Sequence, residues 1–175
     1  MSLVASLLNR IRLRLFRSFR DDTPLPQTAW KFVVFLDFDG VLHPGTTGTM
    51  RLAGALEALL EKYPDVRIVI SSSWRMGETL DELRGWFSPS IASRIIGVTP
   101  VLAPSLRAVR QAEAESWLGA NPTRHWCALD DEAELFQAGC SWLILTDSRT
   151  GLTQDTLRKL EAKLRAAGCA GETPL

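Results

Sequence analysis

The sequence predicts an α/β fold of three layers, in which helices cover both faces of a central parallel sheet. The first observation is an unbroken apolar run at residues 32–36, which is typical of a parallel strand buried on both faces. The second is that short apolar runs alternate with helical patterns from residue 31 onward. The third is size, because 175 residues with 46% hydrophobic side chains can form one domain with a substantial core.

The predicted elements follow one another regularly along the chain. Short apolar runs predict the remaining strands at residues 66–71, 95–98, 126–129 and 142–145, with the run at 95–98 at an edge of the sheet. Helical spacing of apolar residues occurs at about 51–63, 77–87, 105–119, 131–138 and 154–167. This order predicts one α/β domain over residues 31–170.

The N-terminal segment differs from the rest of the chain. Residues 1–22 are predicted to form a basic amphipathic helix and residues 23–30 a linker with two prolines. Residues 1–20 contain five arginines and no acidic residue, whereas the remainder has 15 basic and 20 acidic residues. Three interpretations remain open: weak binding to an anionic membrane surface or a protein partner, docking on the domain itself, and a targeting segment.

Composition excludes several classes of protein. The longest apolar runs are far shorter than the ~20 residues of a transmembrane helix, so no transmembrane segment is predicted. Three cysteines without a Cys-x-x-Cys spacing indicate neither a disulfide framework nor a zinc site, and a reducing cytoplasmic location is expected. The formal net charge is zero, so the total charge gives no argument for a nucleic-acid partner.

Two carboxylates directly follow the first predicted strand. Asp37 and Asp39 are spaced i, i+2, which puts both side chains on one side of an extended chain. Gly40 permits a turn, which would leave both acids at the carboxyl end of the strand, where open α/β sheets bind ligands. Two unit charges ~4 Å apart repel by roughly 4 kcal/mol at an effective dielectric of about 20. The motif therefore predicts a bound cation, although an acidic turn alone is the simpler interpretation of these few residues.

Polar residues also follow two other predicted strands. One strand ends in Ser71 and Ser72 and leads to Arg75, and hydroxyl, N–H and guanidinium groups at such a turn suit phosphate oxygens. A later strand leads into Asp130 and Asp131. Helix capping explains either motif by itself. Three parallel strands that all end in such residues indicate a shared site.

The motifs together resemble those of the haloacid dehalogenase (HAD) superfamily, and most closely the small HAD domains associated with Swiss Army knife RNA-repair proteins. That group similarly has Leu-Asp-x-Asp-Gly-Val-Leu-x-Pro, Ser-x-Trp-Arg, a late Asp-Asp and a Gly-Leu-Thr. The corresponding segments here are residues 36–44, 72–75, 130–131 and 151–153. The resemblance covers about residues 31–160 and implies a HAD-like Rossmannoid phosphatase domain without a cap.

The resemblance also implies a mechanism. Asp37 is expected to attack phosphorus and form an aspartyl-phosphate, and Asp39 to act as general acid and then base. Mg²⁺ is expected to be bound by Asp37, the backbone carbonyl of Asp39, and Asp130 or Asp131, with Asp131 preferred for the direct contact. Ser71, or Ser72 if the strand ends one residue later, is expected to bind the phosphoryl oxygens.

Two arginines compete for the basic position of the third motif. Arg107 and Arg110 lie three residues apart on one predicted helix. The related domains show Arg-x-x-Glu followed by Trp-Leu, and Arg110, Glu113 and Trp117 reproduce that spacing. Arg110 is therefore preferred as the substrate-binding residue, with Arg75 as a second arginine near the phosphate.

The substrate is expected to be large, since the sequence leaves no room for a cap. Only 31 residues separate Asp39 from Ser71, and 38 separate Ser71 from Arg110. An uncovered site suits a phosphate on a macromolecule, such as a nucleic-acid end. A phosphotransferase and a non-catalytic phosphate-binding module on the same fold remain alternatives. His43, a lone histidine before a proline, is interpreted first as a loop-packing residue and second as a substrate contact.

Overall fold

The computed structural model describes residues 29–169 and Gly171. The predicted helix at 1–22 and most of the linker at 23–30 lie outside these residues. Five strands form the sheet: β1 (Trp30–Leu36), β2 (Val66–Ile70), β3 (Ile95–Val98), β4 (Thr123–Asp130) and β5 (Leu143–Leu145). Their order is β3-β2-β1-β4-β5 and every pairing is parallel, which confirms the predicted sheet.

The described residues form five α-helices, of which the first four lie between strands and the last follows β5: α1 (Ala53–Leu60), α2 (Leu80–Arg84), α3 (Pro89–Ala92), α4 (Val109–Ala120) and α5 (Gln154–Ala166). Alternate side chains of β1 point to opposite faces of the sheet. Phe32, Val34 and Leu36 lie in one core cluster with leucines of α1 and α5, whereas Val33 and Phe35 lie in a second with Ala114 and Leu118 of α4. Helices thus cover both faces, and the three-layer α/β/α prediction is confirmed.

Two predicted helices are much shorter in the structure. The pattern at 131–138 forms only a 3₁₀ turn, Ala133–Leu135, because Phe136 is buried beside the sheet and the backbone N–H of Gln137 donates to Gln111 Oε1. The pattern at 77–87 yields the five-residue α2, which begins after Thr79 with a capping box to Glu82. A contact with a residue distant in sequence overrides the apolar spacing in the first case, and a local helix cap does so in the second.

The connections between strands are short, in agreement with the absence of a cap. α1 is the helix between β1 and β2, and only a 3₁₀ turn (Ser73–Met76), α2, α3 and β3 lie between β2 and α4. The described residues contain no inserted cap domain. None of the helices within residues 29–169 has both the length and the apolar character needed to cross a membrane.

Candidate active site at the carboxyl ends of the strands

The carboxyl ends of β1, β2 and β4 bring the predicted site residues together. The backbone N–H of Asp37 donates to Leu129 O at 3.0 Å, and that of Ser71 donates to Leu36 O at 2.9 Å. The parallel ladders therefore continue one residue past β1 and β2 and hold both side chains at the same sheet edge as Asp130, the last residue of β4. Three neighbouring strands position the site by backbone hydrogen bonds.

Arg110, in the first turn of α4, lies between two of these acids. Its Nη1 is 3.2 Å from Asp37 Oδ1 and 3.3 Å from Asp130 Oδ2, and its side chain is only 10% exposed. Burial alone would lower the pKa of Arg110, but Asp130 and Asp37 together raise it above its ordinary value. Arg107 is exposed instead. Arg110 is thus the arginine that lies at the acidic site.

Three carboxylates form a cluster that could hold a metal ion. Asp37, Asp130 and Asp131 each place a side-chain oxygen so that all three atoms lie within 4.8 Å of one another. Burial, followed by repulsion from Asp37, raises the pKa of Asp130 to about 7 and also raises that of Asp131. Asp130 Oδ2 makes no hydrogen bond to any described residue. Buried, mutually repelling oxygens of this kind fit Mg²⁺, which prefers oxygen ligands.

Gly40 makes room for this cluster. Its φ of +63° is in the left-handed region, and a Cβ at this position would overlap the Asp131 carboxyl. The Gly40 carbonyl accepts a hydrogen bond of 2.7 Å from Thr146 Oγ1, and its N–H donates to Gly45 O at 2.9 Å. The turn after β1 is therefore held on two sides with the Asp131 carboxyl against it.

The Gly151-Leu152-Thr153 motif contacts the same turn through a backbone hydrogen bond. The backbone N–H of Leu152 donates to Val41 O at 2.9 Å, and Gly151 has a φ of +69° where a side chain would meet Leu52 and Val41. Thr153 caps α5 through a capping box with Thr156. These contacts give the motif a structural role.

Asp39 contacts a different set of side chains from Asp37. Its Oδ2 accepts a hydrogen bond of 2.9 Å from Trp74 Nε1, and its Oδ1 lies 3.5 Å from His43 Nε2. The Asp39 side chain is 26% exposed, whereas His43 is fully buried. Asp39 is therefore the more accessible of the two acids that follow β1.

Ser71 and Ser72 have distinct environments. Ser72 Oγ accepts a hydrogen bond of 3.4 Å from the backbone N–H of Trp74 and caps the 3₁₀ turn. Ser71 Oγ is buried and has no hydrogen-bond partner among residues 29–169. A buried hydroxyl without a partner at a strand end fits a ligand oxygen. The geometry therefore favours Ser71 over Ser72 as the residue that can bind a phosphoryl oxygen.

Arg75 contacts the protein itself, in contrast to the substrate contact that we expected. Its guanidinium and Nε donate to the backbone carbonyls of Ser71, Ser72 (2.8 Å) and Thr99 (3.1 Å), and Nη2 lies 2.6 Å from Glu113 Oε2. Its side chain is 4% exposed, and burial lowers its pKa although Glu113 opposes that shift. Arg75 thus holds the end of β2 in place.

Sequence reasoning assigned no role to Glu113, which joins the two arginines. It pairs with Arg75, lies 4.0 Å from Arg110 Nε, and accepts a hydrogen bond of 3.0 Å from the backbone N–H of Leu102. The Arg-x-x-Glu spacing was the available signal, because residues three apart share a helix face. Trp74 was the other missed residue.

The chain matches a known protein family. The model of one family, described as "HAD domain in Swiss Army Knife RNA repair proteins", matches residues 33–157. The match covers more than half of the chain and includes every residue discussed at the strand ends. No curated protein and no solved structure matches the chain.

Proposed function

Because the chain belongs to the family of HAD domains in Swiss Army Knife RNA repair proteins, we propose that it is a Mg²⁺-dependent phosphatase that hydrolyses phosphoric monoesters through an aspartyl-phosphate. Membership indicates a phosphatase-type or phosphoryl-transfer role, and the proposal adds the metal, the intermediate and the residues. The observation that carries it is the carboxylate cluster of Asp37, Asp130 and Asp131 beside Arg110.

The chain's own oxygens suit a bound Mg²⁺. In the proposal, the side chains of Asp37 and Asp131 and the backbone carbonyl of Asp39 would hold the ion, and Asp130 would hold Arg110 or a water. A cation bound there would offset the repulsion between the acids and the negative charge of a phosphate. The raised pKa values of Asp130 and Asp131 support a cation here, because they are expected of buried carboxylates that repel each other.

The proposed reaction has two displacements. An oxygen of Asp37 forms a bond to phosphorus while the bond to the leaving oxygen breaks, and Asp39 gives that oxygen a proton. Water then attacks the phosphorus, its proton passes to Asp39, and the bond between Asp37 and phosphorus breaks. Ser71 Oγ, which has no partner among the described residues, donates to a phosphoryl oxygen, and Arg110 balances charge.

The proposed substrate is a phosphate at the end of a nucleic acid. The site has no cap among the described residues, so a bulky phosphorylated end can reach it. Apolar surface is exposed beside Trp74, where Trp86 packs against its ring at 5.9 Å and is 43% exposed. An exposed indole next to a phosphate site can stack on a nucleobase. A cytoplasmic location is proposed with this role.

A substrate panel tests the proposal. Hydrolysis of phospho-ended oligonucleotides, nucleotides, phosphopeptides and sugar phosphates is measured in MgCl₂ and in EDTA. We expect activity that needs Mg²⁺, highest on oligonucleotide ends, and none in Asp37→Asn. The matched control is Asp81→Asn, which removes a carboxylate that is 90% exposed. Full activity in EDTA, or wild-type turnover by Asp37→Asn, would contradict the proposal.

The same panel separates the two alternatives. With added alcohols, a phosphotransferase yields a phosphorylated alcohol in place of inorganic phosphate. A non-catalytic module binds a phospho-ended oligonucleotide in MgCl₂ but releases no phosphate from it. Inorganic phosphate as the main product, with acid-stable labelling of wild-type protein reduced to background in Asp37→Asn, supports hydrolysis through Asp37.

A further inference from the structure

One fully buried histidine has no part in the reaction proposed above. The His43 side chain is 0% exposed, and neither of its ring nitrogens makes a hydrogen bond within the described part of the chain. Its Nε2 is 3.5 Å from Oδ1 of Asp39. Buried polar groups in native proteins are usually paired, since an unpaired one is costly. The position of His43 beside this carboxyl therefore points to a role for it.

Trp74 contacts the other oxygen of the same carboxyl. Its Nε1–H donates a hydrogen bond of 2.9 Å to Asp39 Oδ2. The Trp74 ring packs at 6.0 Å from the His43 ring and, edge to face, at 5.6 Å from Phe38. One ring nitrogen thus faces each oxygen of Asp39, and both rings belong to one packed group.

The backbone of the turn fixes His43 relative to Asp39. The two residues form an isolated parallel bridge, and the N–H of Leu42, immediately before His43, donates to Phe38 O at 2.8 Å. Because this main chain is bonded and the His43 ring is fully buried, the imidazole has little freedom to turn away from the carboxyl. The arrangement restrains rotation of the Asp39 carboxyl about its own bond.

On the basis of the proposed phosphatase function, we propose that His43 is a positioning residue. With Trp74 it holds the Asp39 carboxyl in the orientation that gives a proton to the leaving oxygen while the phosphorus–oxygen bond breaks. A separation of 3.5 Å is longer than a hydrogen bond, and catalytic hydrogen bonds often tighten only when substrate binds. An acidic phenol leaves without a proton, so loss of His43 should impair poor leaving groups selectively.

The test compares kcat/KM for 4-nitrophenyl phosphate and phenyl phosphate in MgCl₂. His43→Phe keeps a ring and removes both nitrogens, whereas His43→Asn keeps a polar donor. For His43→Phe we expect a loss of about 100-fold on phenyl phosphate, in the range of general acid catalysis, and of less than about 5-fold on 4-nitrophenyl phosphate. His43→Asn should recover part of the loss, and Trp74→Phe should show the same selectivity.

Each other outcome rejects the positioning role. A purely structural histidine predicts equal losses on both substrates, and an unimportant one predicts none. Failure of both His43 variants to give a cooperative thermal transition would also overturn the proposal, because His43 is then a packing residue. A wild-type protein that hydrolyses neither of these phosphates nor any member of the substrate panel rejects the phosphatase function itself, whereas an active wild type with unselective variants rejects only the role of His43.

Discussion

The carboxyl of Asp131 lies in the space that a side chain on Gly40 would occupy. Asp131 directly follows Asp130, which is the last residue of β4, and Gly40 belongs to the turn after β1. This contact therefore joins the ends of two neighbouring strands. A residue with no side chain is thus a requirement of the carboxylate cluster, and not only of the turn.

The first prediction concerns Gly40→Ala. The new methyl group should displace the Asp131 carboxyl, so we expect Mg²⁺ affinity and phosphatase activity to fall by at least about 10-fold. Gly45→Ala is the matched control, since Gly45 also has a positive φ (+51°) but an added Cβ has nothing within 4 Å. Both variants should lose about 1–2 kcal/mol of stability from backbone strain. Equal Mg²⁺ affinity in the two variants, measured by calorimetry, would contradict this account.

The second prediction concerns pH and metal removal. The pKa of Asp130 is raised to about 7 from an ordinary 3.8, so between about pH 4 and pH 7 the folded protein holds a proton that the unfolded chain has lost. Stability of the metal-free protein should therefore fall as pH rises through this window, by at most roughly 4 kcal/mol. MgCl₂ should restore stability at about pH 8 and have little effect at about pH 5.

Thermal melting in EDTA and in MgCl₂ at both pH values measures this effect. Asp130→Asn should flatten the pH dependence in EDTA, because the group that titrates is gone. Asp131→Ala should weaken Mg²⁺ stabilisation more than Asp130→Ala, since Asp131 is proposed as the direct ligand. A melting temperature in EDTA that rises between about pH 5 and pH 8 would reject the assignment.

The third prediction concerns Glu113, which lies between two buried arginines. Glu113→Gln keeps the acceptor for the Leu102 N–H and removes the charge that balances Arg75. Removing one partner of a buried ion pair costs about 3 kcal/mol, or roughly 6–12 °C in melting temperature for a domain of this size. The control is Glu161→Gln, which breaks an exposed pair with Arg165 and should leave the melting temperature nearly unchanged. Similar melting temperatures for both variants would show that the buried ion pair of Glu113 contributes no more to stability than the exposed pair of Glu161.

The fourth prediction concerns residues 1–22, which lie outside the described residues. Their deletion should leave activity on 4-nitrophenyl phosphate unchanged, because every proposed catalytic residue lies between Asp37 and Asp131. Co-sedimentation with anionic vesicles and melting curves of both forms then distinguish the open interpretations. If the predicted helix binds a membrane surface, deletion abolishes salt-sensitive sedimentation. An unchanged sedimentation with a lowered melting temperature indicates docking on the domain.

The sheet was predictable because each strand is specified by residues that are adjacent in the sequence. The apolar run of β1 and the polar residues after it define both a buried strand and its functional end, and the structure confirms the parallel strands on each side. The helix at 131–138 was wrong because Gln111, which is distant in sequence, takes up the backbone N–H of Gln137. α4 begins four residues later than expected, since Ala108 has a positive φ.

The residue types of the site were predictable from the sequence, but the contacts that each side chain makes were not. Sequence spacing placed serines and arginines near the phosphate, yet only the fold distinguishes Ser71, whose hydroxyl has no partner within the described chain, from Ser72, which caps a turn. Arg75 and Arg110 carry the same charge, but burial directs Arg75 to carbonyl oxygens and Arg110 to the acids. These differences depend on three-dimensional contacts that the spacing of residues in the sequence does not reveal.

The central place of β1 has a consequence for how inactivation is observed. Both edges of this strand are bonded, to β2 and to β4, and the N–H of Asp37 is bonded to β4 as well. Amide hydrogens of such a strand exchange with solvent only when the whole domain opens. Under the proposed function, the nucleophile then loses its geometry in the same event that unfolds the molecule. Enzyme rate during heating should therefore report the fraction of folded molecules, without an earlier inactive but folded stage.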